Sequence, residues 1–438
     1  MRLYSSNRQS PEVSLREAVR QGLARDGGLF MPKSIPCLTP DFFRRLPHLS
    51  IQEIAFSVSK AFMHDEIPER DLRHIVEAAF TFDAPIVELE ANLYALELFS
   101  GPTLAFKDFG ARMLAQLLRY FLQDEERELL VLVATSGDTG SAVGHAFLNM
   151  PKTQVVLLYP SGKVSHIQEQ QLTTIGGNVV ALEVLGTFDD CQRLVKEAFL
   201  DAELNVRWVL SSANSINIAR LLPQMVYYFR AVAQVKRTDL PIIFSVPSGN
   251  FGNLTAGLIA KRMGLAVEKF VAATNANDIV PTYLRTGRFE PRASQRTLSN
   301  AMDVGNPSNF ARMQELYPTL QDMQQDIFGA SFSDSETTAA IQELYRKYAY
   351  IAEPHGAIGY VGLQAYRSAQ PQPTNGVFLA TAHPAKFADI VQPLMPVPIE
   401  VPERLQEALN KPKTAIRMPN KFESLKSFLL GALTQKES

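Results

Sequence analysis

Residues 242–253, IIFSVPSGNFGN, join an apolar strand to a loop rich in glycine and asparagine. The strand is predicted over Ile242–Val246, and the residues that follow the loop, LTAGLIAKRM, predict a helix. Such a loop exposes backbone N–H groups at a helix start, where the helix dipole favours negative charge, so it suits a dianionic phosphate. An ordinary strand-to-helix turn is the competing interpretation. The loop matches neither GxGxxG nor the P-loop pattern.

The same alternation of strand, loop and helix recurs along the chain and predicts an α/β fold. The predicted strands are Leu129–Ala134, Gln154–Tyr159, Val179–Val184, Trp208–Leu210, Ile242–Val246, Phe270–Thr274 and Gly376–Thr381. The predicted helices begin near Phe106, Thr139, Ser165, Asp189, Ile216, Leu254 and Ser335. Continuous apolar strands separated by helices indicate parallel sheets covered on both faces. We therefore expect two open, doubly wound domains with ligands bound between them, at the carboxyl ends of the strands.

The chain divides into four predicted segments. Residues 1–80 read as a mostly helical cap without strand alternation, and residues 81–240 and 241–395 read as the two α/β domains. A tail, residues 396–438, starts with a proline-rich stretch and predicts an amphipathic helix around Phe422–Leu433.

Composition excludes several classes of function. The 438 residues carry 43 basic and 45 acidic side chains, a formal net charge of −2, so no basic surface is expected for nucleic acid. The two cysteines, Cys37 and Cys191, are too few for a disulfide framework, and no HExxH pattern predicts a catalytic metal. The N-terminus lacks the apolar core of a signal peptide, and no apolar run reaches the roughly 20 residues that span a bilayer. We expect a cytoplasmic protein that is not bound to membranes.

Lys107 lies in LAFKDFGARMLAQLLRYF, whose apolar positions predict a buried helix face. A lysine removed from water has a lowered pKa and becomes a competent amine nucleophile. The competing interpretation is a solvated helix lysine. An amine that forms an imine, together with a phosphate-binding loop, is what pyridoxal phosphate requires.

Two further loops follow predicted strands. In TSGDTG, residues 135–140, the hydroxyls of Ser136 and Thr139 are candidates for binding a substrate carboxylate, and helix capping is the alternative. In SSANSINIAR, residues 211–220, Asn214 and Arg220 are candidates for a second anion such as a leaving phosphate. Its alternative is an asparagine cap followed by a surface arginine.

Seven stretches carry a resemblance to a known family: DGGLFMP, SGPTLAFKDFGARM, ATSGDTGSA, PSGNFGN, TNANDIVPTYLRTG, NAMDVGNPSNFARM and TAHPAKF, within residues 26–387. They resemble the microbial and fungal type of the threonine synthase family. The resemblance implies a pyridoxal-phosphate enzyme of the tryptophan synthase β-like fold, called fold type II, with a helical N-terminal cap domain. The loops NANDIV and DVGNPSN have no definite ligand and are expected to form walls of the site.

The resemblance also implies roles for individual residues. Lys107 would form the imine with the cofactor, and Thr381 would lie against its pyridine nitrogen, which a neutral hydroxyl is expected to leave unprotonated. The implied phosphate-binding residues are Gly249, Asn250, Phe251, Gly252 and Asn253. Ser136 and Thr139 would meet the substrate carboxylate, and Asn214 and Arg220 the substrate phosphate.

The implied reaction converts O-phospho-L-homoserine and water to L-threonine and phosphate, the last step of threonine biosynthesis, by γ-elimination and β-addition of water in a monomer or homodimer. Three alternatives stay open from the residues alone. A phospho-lyase would use the same substrate and release 2-oxobutyrate. A serine or threonine dehydratase of this fold would need no second anion site, and a cofactor-binding protein without activity would need no catalytic lysine.

Overall fold

The computed structural model describes residues 1–237 and 239–431. The strands are β1 Arg2–Ser5, β2 Val13–Ser14, β3 Phe30–Pro32, β4 Ile86–Glu90, β5 Leu93–Glu97, β6 Leu129–Ala134, β7 Thr153–Pro160, β8 Val179–Leu185, β9 Val209–Ser212, β10 Ile242–Pro247, β11 Lys269–Thr274, β12 Ile327–Ser331, β13 Asn375–Ala380 and β14 Ile416–Pro419.

The helices are α1 Leu15–Gln21, α2 Pro40–Arg45, α3 Ile51–Met63, α4 Glu69–Ala79, α5 Lys107–Phe121, α6 Asp138–Phe147, α7 His166–Thr173, α8 Phe188–Leu200, α9 Ala202–Arg207, α10 Ile218–Leu221, α11 Met225–Gln234, α12 Gly252–Arg262, α13 Ile279–Thr286, α14 Phe310–Leu316, α15 Leu320–Asp326, α16 Asp334–Tyr348, α17 Pro354–Ala369, α18 Ala388–Val391, α19 Glu403–Leu409 and α20 Phe422–Gly431. The C-terminal helix begins where the sequence predicts it, and the end predicted at Leu433 lies outside the described residues.

The strands form two parallel sheets, as predicted. One sheet has five strands in the order β14-β8-β7-β6-β9, all parallel. The other has six in the order β12-β11-β10-β13-β5-β4, of which only the hairpin β4–β5 is antiparallel. Every residue of the central strands β6 and β10 is buried, because helices cover both faces.

Each large sheet contains strands from more than one of the four predicted segments or α/β domains. β4 and β5, which follow the N-terminal segment, pair with the sheet built by residues 241–395, through the contact of β5 with β13. β14, from the C-terminal tail, extends the sheet of residues 81–240 beside β8. The division at residues 80, 240 and 395 stays a prediction, and both α/β bodies depend on chain segments outside those limits.

The N-terminal segment has the expected helices, but the expectation that it lacks strands is wrong. β2, β1 and β3 form a small antiparallel sheet in that order. These strands have two to four residues, too few for an alternation of polar and apolar residues to show. The helices form where local signals are strong: Ser50 and Glu53 make a reciprocal capping box at the start of α3.

Backbone contacts bring the predicted loops to one edge of the sheets. α5 begins at Lys107, directly after a segment in which Ala105 bridges Ala382 and the Phe106 N–H donates to the Thr381 carbonyl at 2.9 Å. The loop after β10 leads into α12, and the loop after β6 leads into α6. The lysine, the glycine and asparagine loop and Thr381 therefore share the carboxyl edge of the strands, as parallel topology requires.

Arg312 on α14 joins the N-terminal segment to this edge. Its guanidinium is fully buried and donates to the carbonyls of Phe30, Ser215 and Ile216 at 3.1, 3.1 and 2.6 Å and to Asn309 Oδ1 at 2.7 Å. Burial lowers the pKa of Arg312 to about 9. Three chain segments thus depend on one side chain for their buried acceptors.

We expect Arg312→Met to lower the free energy of unfolding by about 3 kcal/mol, because it leaves buried carbonyls without donors. Denaturant unfolding followed by far-UV circular dichroism measures the loss. Arg288→Met, at an exposed position, is the matched control and should change stability by less than about 0.5 kcal/mol. Equal stability of the two variants would show that the Arg312 contacts contribute nothing net.

Candidate active site

Lys107 occupies the first turn of α5 and its side chain is 16% exposed. Its Nζ lies 3.6 Å from Asp138 Oδ2 and 5.0 Å from the ring centre of Phe106. Burial lowers the pKa of Lys107, Asp138 opposes that shift, and the charges of Lys386 and Arg220 add to it. The environment therefore favours a neutral amine at an accessible position.

Asp138, at the start of α6, is held by a second lysine that sequence reasoning missed. Lys386 is completely buried, and its Nζ lies 2.9 Å from Asp138 Oδ1 and donates to the Thr103 carbonyl at 2.8 Å. Burial by itself would raise the pKa of Asp138, but Lys386 and Lys107 together hold it well below its usual range. TAHPAKF contained this lysine, and nothing in its local pattern pointed to a carboxylate so far along the chain.

The polar loop that starts α6 leaves two predicted hydroxyls at its surface. Thr135 Oγ1 accepts from the N–H groups of Gly137 and Gly140 at 3.0 and 2.8 Å, so Thr135 makes the capping hydrogen bond at the start of α6. Ser136 and Thr139 are partly exposed beside the buried Asp138. Both residues therefore stay candidates for contact with a ligand.

The glycine and asparagine loop contains a residue in the left-handed backbone region. Phe251 has left-handed backbone angles, φ 60° and ψ 10°, directly before α12 begins at Gly252. This conformation is rare for a bulky residue, and such strain is typical of ligand-binding turns. At Gly249 a Cβ would lie 2.7 Å from the Met302 Cα, so only glycine lets the chain at Met302 approach the loop.

The side chain of Asn250 is used within the protein. Its Oδ1 accepts from the Ser308 N–H and hydroxyl, both at 2.8 Å, and its Nδ2 donates to Ser215 Oγ at 3.3 Å. Asn250 therefore ties the loop to DVGNPSN and to SSANS. Its own contribution to an anion would come from the backbone N–H.

Two buried amides beside this loop have a donor without a partner. Asn253 Oδ1 accepts from the Tyr227 and Tyr228 hydroxyls at 2.7 and 2.6 Å, and Asn253 Nδ2 has no partner. Asn309 Oδ1 accepts from Arg312, and its Nδ2, also without a partner, lies 3.4 Å from where a Cβ on Gly252 would be. Arg312 can only donate and so fixes the orientation of the Asn309 amide, and the two tyrosine hydroxyls face Oδ1 of Asn253. In both residues the NH₂ group is the donor left without a partner. This donor set, at a helix N-terminus, fits a phosphate group.

Arg220 lies against the helix that carries Lys107. It is 3% exposed, and a Cβ on Gly110 of α5 would come within 2.9 Å of its Nε. Its Nη1 donates to the Ala213 carbonyl, while Nε, like Asn214 Oδ1, has no hydrogen-bond partner. Burial lowers the pKa of Arg220 to about 10. A buried guanidinium with an open donor suits an anion, so the alternative of a surface arginine is wrong.

Other asparagines of the quoted motifs have structural partners. Asn217 caps α10, and its Nδ2 donates to the Val19 carbonyl at 3.0 Å. In NANDIV, the Nδ2 groups of Asn275 and Asn277 donate to Asp303 Oδ1 at 2.9 and 3.2 Å and so hold the chain around residue 303. That chain packs on Gly249, and NANDIV thus supports the loop from behind.

Thr381, just after β13, is 6% exposed and donates to Glu353 Oε1 at 3.1 Å. Glu353 is a second buried site residue that the sequence did not single out.

Residues 1–237 and 239–431 contain no cluster of His, Cys, Asp or Glu that could hold a metal ion. In the same ranges no helix is long and apolar enough to cross a membrane.

Three family models and several curated relatives match this chain. Residues 81–382 match the family "Pyridoxal-phosphate dependent enzyme", residues 2–80 match "Threonine synthase N terminus" and residues 356–429 match "Threonine synthase, C-terminal". A threonine synthase of Haemophilus influenzae is 46% identical over 431 residues, 98% of this chain and 100% of the relative.

Solved structures agree as well. The threonine synthase of Escherichia coli superposes with a TM-score of 0.91 at 43% identity, over 99% of this chain and 100% of that one. A threonine synthase of Brucella melitensis, described as PLP bound, gives a TM-score of 0.91 at 36% identity and covers both chains completely. The fold is thus fold type II, as the resemblance implied, and the chain belongs to the threonine synthase family of pyridoxal-phosphate-dependent enzymes.

Proposed function

We propose that this threonine synthase converts O-phospho-L-homoserine and water to L-threonine and phosphate, with Lys107 as its catalytic base. The observation that carries the proposal is the largely buried but accessible amine of Lys107 at one sheet edge with two candidate anion-binding groups. One is the loop of residues 248–253, and the other is the buried Arg220.

Pyridoxal phosphate, when bound, supplies an aldehyde that captures amines and a ring that accepts electron density from the adjacent carbon. Backbone N–H groups of Gly249, Asn250 and Phe251 and the start of α12 at Gly252 would hold its phosphate. Asn253 and Asn309 would add their unpartnered NH₂ groups. Asn309 extends the predicted set of phosphate ligands by one residue from DVGNPSN.

Lys107 must be neutral to attack an aldehyde and later to accept a proton from the substrate. Burial and the neighbouring ammonium of Lys386 both favour that state. The Asp138 carboxylate lies close enough to stabilise the positive charge of Lys107 whenever its amine is protonated, and the ammonium of Lys386 keeps Asp138 ionised. The lysine can therefore hold and release protons without a change of partner.

The substrate has two anionic groups, and the site offers two places for them. The hydroxyls of Ser136 and Thr139 and the first turn of α6 would hold the carboxylate. Arg220 would pair its open Nε with the substrate phosphate, and Asn214 would border it. A guanidinium at 3% exposure gains strength because water competes poorly for its donors.

We further propose a cytoplasmic enzyme that acts as a monomer or homodimer and binds no nucleic acid. The free cysteines, exposed Cys37 and buried Cys191, fit a reducing compartment. Light scattering on the purified protein measures the oligomeric state.

We expect the protein to release phosphate and L-threonine in equal amounts from O-phospho-L-homoserine, and Lys107→Ala to lower the rate by at least about 10³-fold. A coupled assay that follows phosphate, threonine and 2-oxobutyrate together measures both. Lys163→Ala, a loop lysine outside the site, is the control for lysine loss. Release of 2-oxobutyrate in place of threonine would identify a phospho-lyase, and turnover of threonine or serine without phosphate a dehydratase.

We expect Asn253→Asp and Asn309→Asp each to weaken cofactor binding by about 10-fold or more, because each change replaces a donor by a negative charge facing the phosphate. Equilibrium titration of cofactor-free protein, followed by absorbance, gives the dissociation constants. Asn410→Asp makes the same change at an exposed position and should have no effect. Unchanged affinity in both site variants would place the phosphate elsewhere.

We expect Asp138→Asn to lower the pKa of Lys107, since Asp138 opposes the effect of burial. At a fixed pH below that pKa, Lys107 should then be acylated faster by a small amine reagent in cofactor-free protein, as measured by peptide mass spectrometry. The double variant Asp138→Asn with Lys386→Met removes both partners and should move the pKa back toward the wild-type value. A slower reaction in the single variant would contradict this electrostatic account.

A further inference from the structure

Glu353 is a buried carboxylate beside the cofactor edge that the proposed reaction does not use. It is 1% exposed and caps α17, a helix of 16 residues whose N-terminus favours negative charge. α17 packs on β13 and β10, the strands that lead to Thr381 and to the phosphate loop. Its position, directly behind Thr381, suggests a role in orienting that hydroxyl.

Four donors fill the carboxylate of Glu353. Oε2 accepts from the His355 N–H at 2.6 Å and from His355 Nδ1, and Oε1 accepts from the Gly356 N–H at 2.8 Å and from the Thr381 hydroxyl at 3.1 Å. An ionised carboxylate offers about four acceptor positions and no proton. The hydroxyl of Thr381 therefore donates to Glu353.

The surroundings keep this direction fixed. His355 Nε2 accepts from the Ala301 N–H at 3.2 Å, so the ring carries its proton on Nδ1 and gives that hydrogen bond to Glu353. His355 and Thr381 are 4% and 6% exposed, which leaves little room for water to exchange partners. The chain from Ala301 through His355 and Glu353 to Thr381 thus has one consistent set of donors and acceptors.

We propose that Glu353 is a positioning residue that fixes the Thr381 hydroxyl as an acceptor and thereby holds the cofactor ring nitrogen in its protonated form. The inference rests on the proposed function, which places Thr381 against that nitrogen. The one proton of Thr381 is committed to Glu353, so its oxygen can only accept a hydrogen bond from the ring. This reverses the expectation, drawn from the neutral hydroxyl alone, that the nitrogen is unprotonated.

Glu353→Gln tests this role, because the hydrogen-bond donors around the two carboxylate oxygens determine how a glutamine amide would be oriented. Both donors that face Oε2 are N–H groups of His355 and cannot reverse, whereas at Oε1 only the Gly356 N–H is fixed and the Thr381 hydroxyl can turn. A glutamine would therefore place its carbonyl oxygen at Oε2 and its NH₂ group toward Thr381. The amide would then donate to the hydroxyl, whose proton would turn toward the ring. The cofactor nitrogen should change from protonated to unprotonated.

The experiment is ¹⁵N NMR of the holoenzyme loaded with pyridoxal phosphate labelled at the ring nitrogen, at one neutral pH. Wild-type protein should give a resonance near the protonated reference compound, and Glu353→Gln one near the unprotonated reference. Glu97→Gln is the matched control: Glu97 pairs with Ala380 next to Thr381, is bonded by the Tyr350 hydroxyl at 3.2 Å, and should leave the resonance unchanged.

The outcomes separate this inference from the function on which it rests. An unprotonated nitrogen in the wild type, or an unchanged resonance in Glu353→Gln, overturns the role of Glu353. Thr381→Val should also give the unprotonated resonance, and it serves as the test if Glu353→Gln fails to fold. An unchanged resonance in Thr381→Val would mean that Thr381 does not face the ring. That result would overturn the inference, and continued formation of threonine would leave the proposed function intact. Failure of the wild type to bind cofactor would overturn the proposed function as well.

Discussion

The site depends on one buried carboxylate shared by two lysines. Asp138 lies 2.9 Å from Lys386 and 3.6 Å from Lys107, and burial makes two ammonium groups beside a single anion costly. Lys386 has the shorter contact, a carbonyl partner and no exposure, so its charge is the better compensated one. The charge that burial removes is therefore the one on Lys107. The three residues come from the start of α5, the start of α6 and the turn after β13. The ion pair of Asp138 with Lys386 therefore also joins the two large sheets at the candidate active site.

Around this charged centre, uncharged groups obtain their direction from buried neighbours. The tyrosines 227 and 228 fix the amide of Asn253, Arg312 fixes that of Asn309, and Glu353 fixes the hydroxyl of Thr381. An amide or hydroxyl can act as donor or acceptor, and its partner behind decides which face it shows to a ligand. In the proposed site, the atoms that would face a ligand thus obtain their polarity from groups that would not touch it, and three distant parts of the chain supply these groups.

The sequence predicted the central strands of the two large sheets, because long apolar strands such as β6 and β10 are buried on both faces and leave an unambiguous signal, but it missed β4, β5, β12 and β14. It singled out Lys107 and the loop at Gly249–Asn253 as candidates because a lysine in an apolar helix and a glycine-rich turn are local patterns. It missed Lys386, Glu353 and Asn309, whose significance depends on partners far along the chain. It missed the N-terminal sheet because strands of two to four residues carry no periodicity. Local sequence patterns therefore indicate candidate ligand-facing groups more readily than the groups that orient them.

The unpartnered donors of the site have an energetic consequence. A buried donor without a partner costs about 1–3 kcal/mol, and Asn253, Asn309 and Arg220 each contain one. The fold tolerates this cost because other contacts hold each group: two hydroxyls for Asn253, a guanidinium for Asn309, and the Gly110 face of α5 for Arg220. In the proposed binding mode, phosphate oxygens of the cofactor and the substrate would accept from these donors and remove the penalty. The folded chain is thus preorganised for binding, because its unsatisfied donors already have a fixed orientation and little further ordering is needed when a ligand binds.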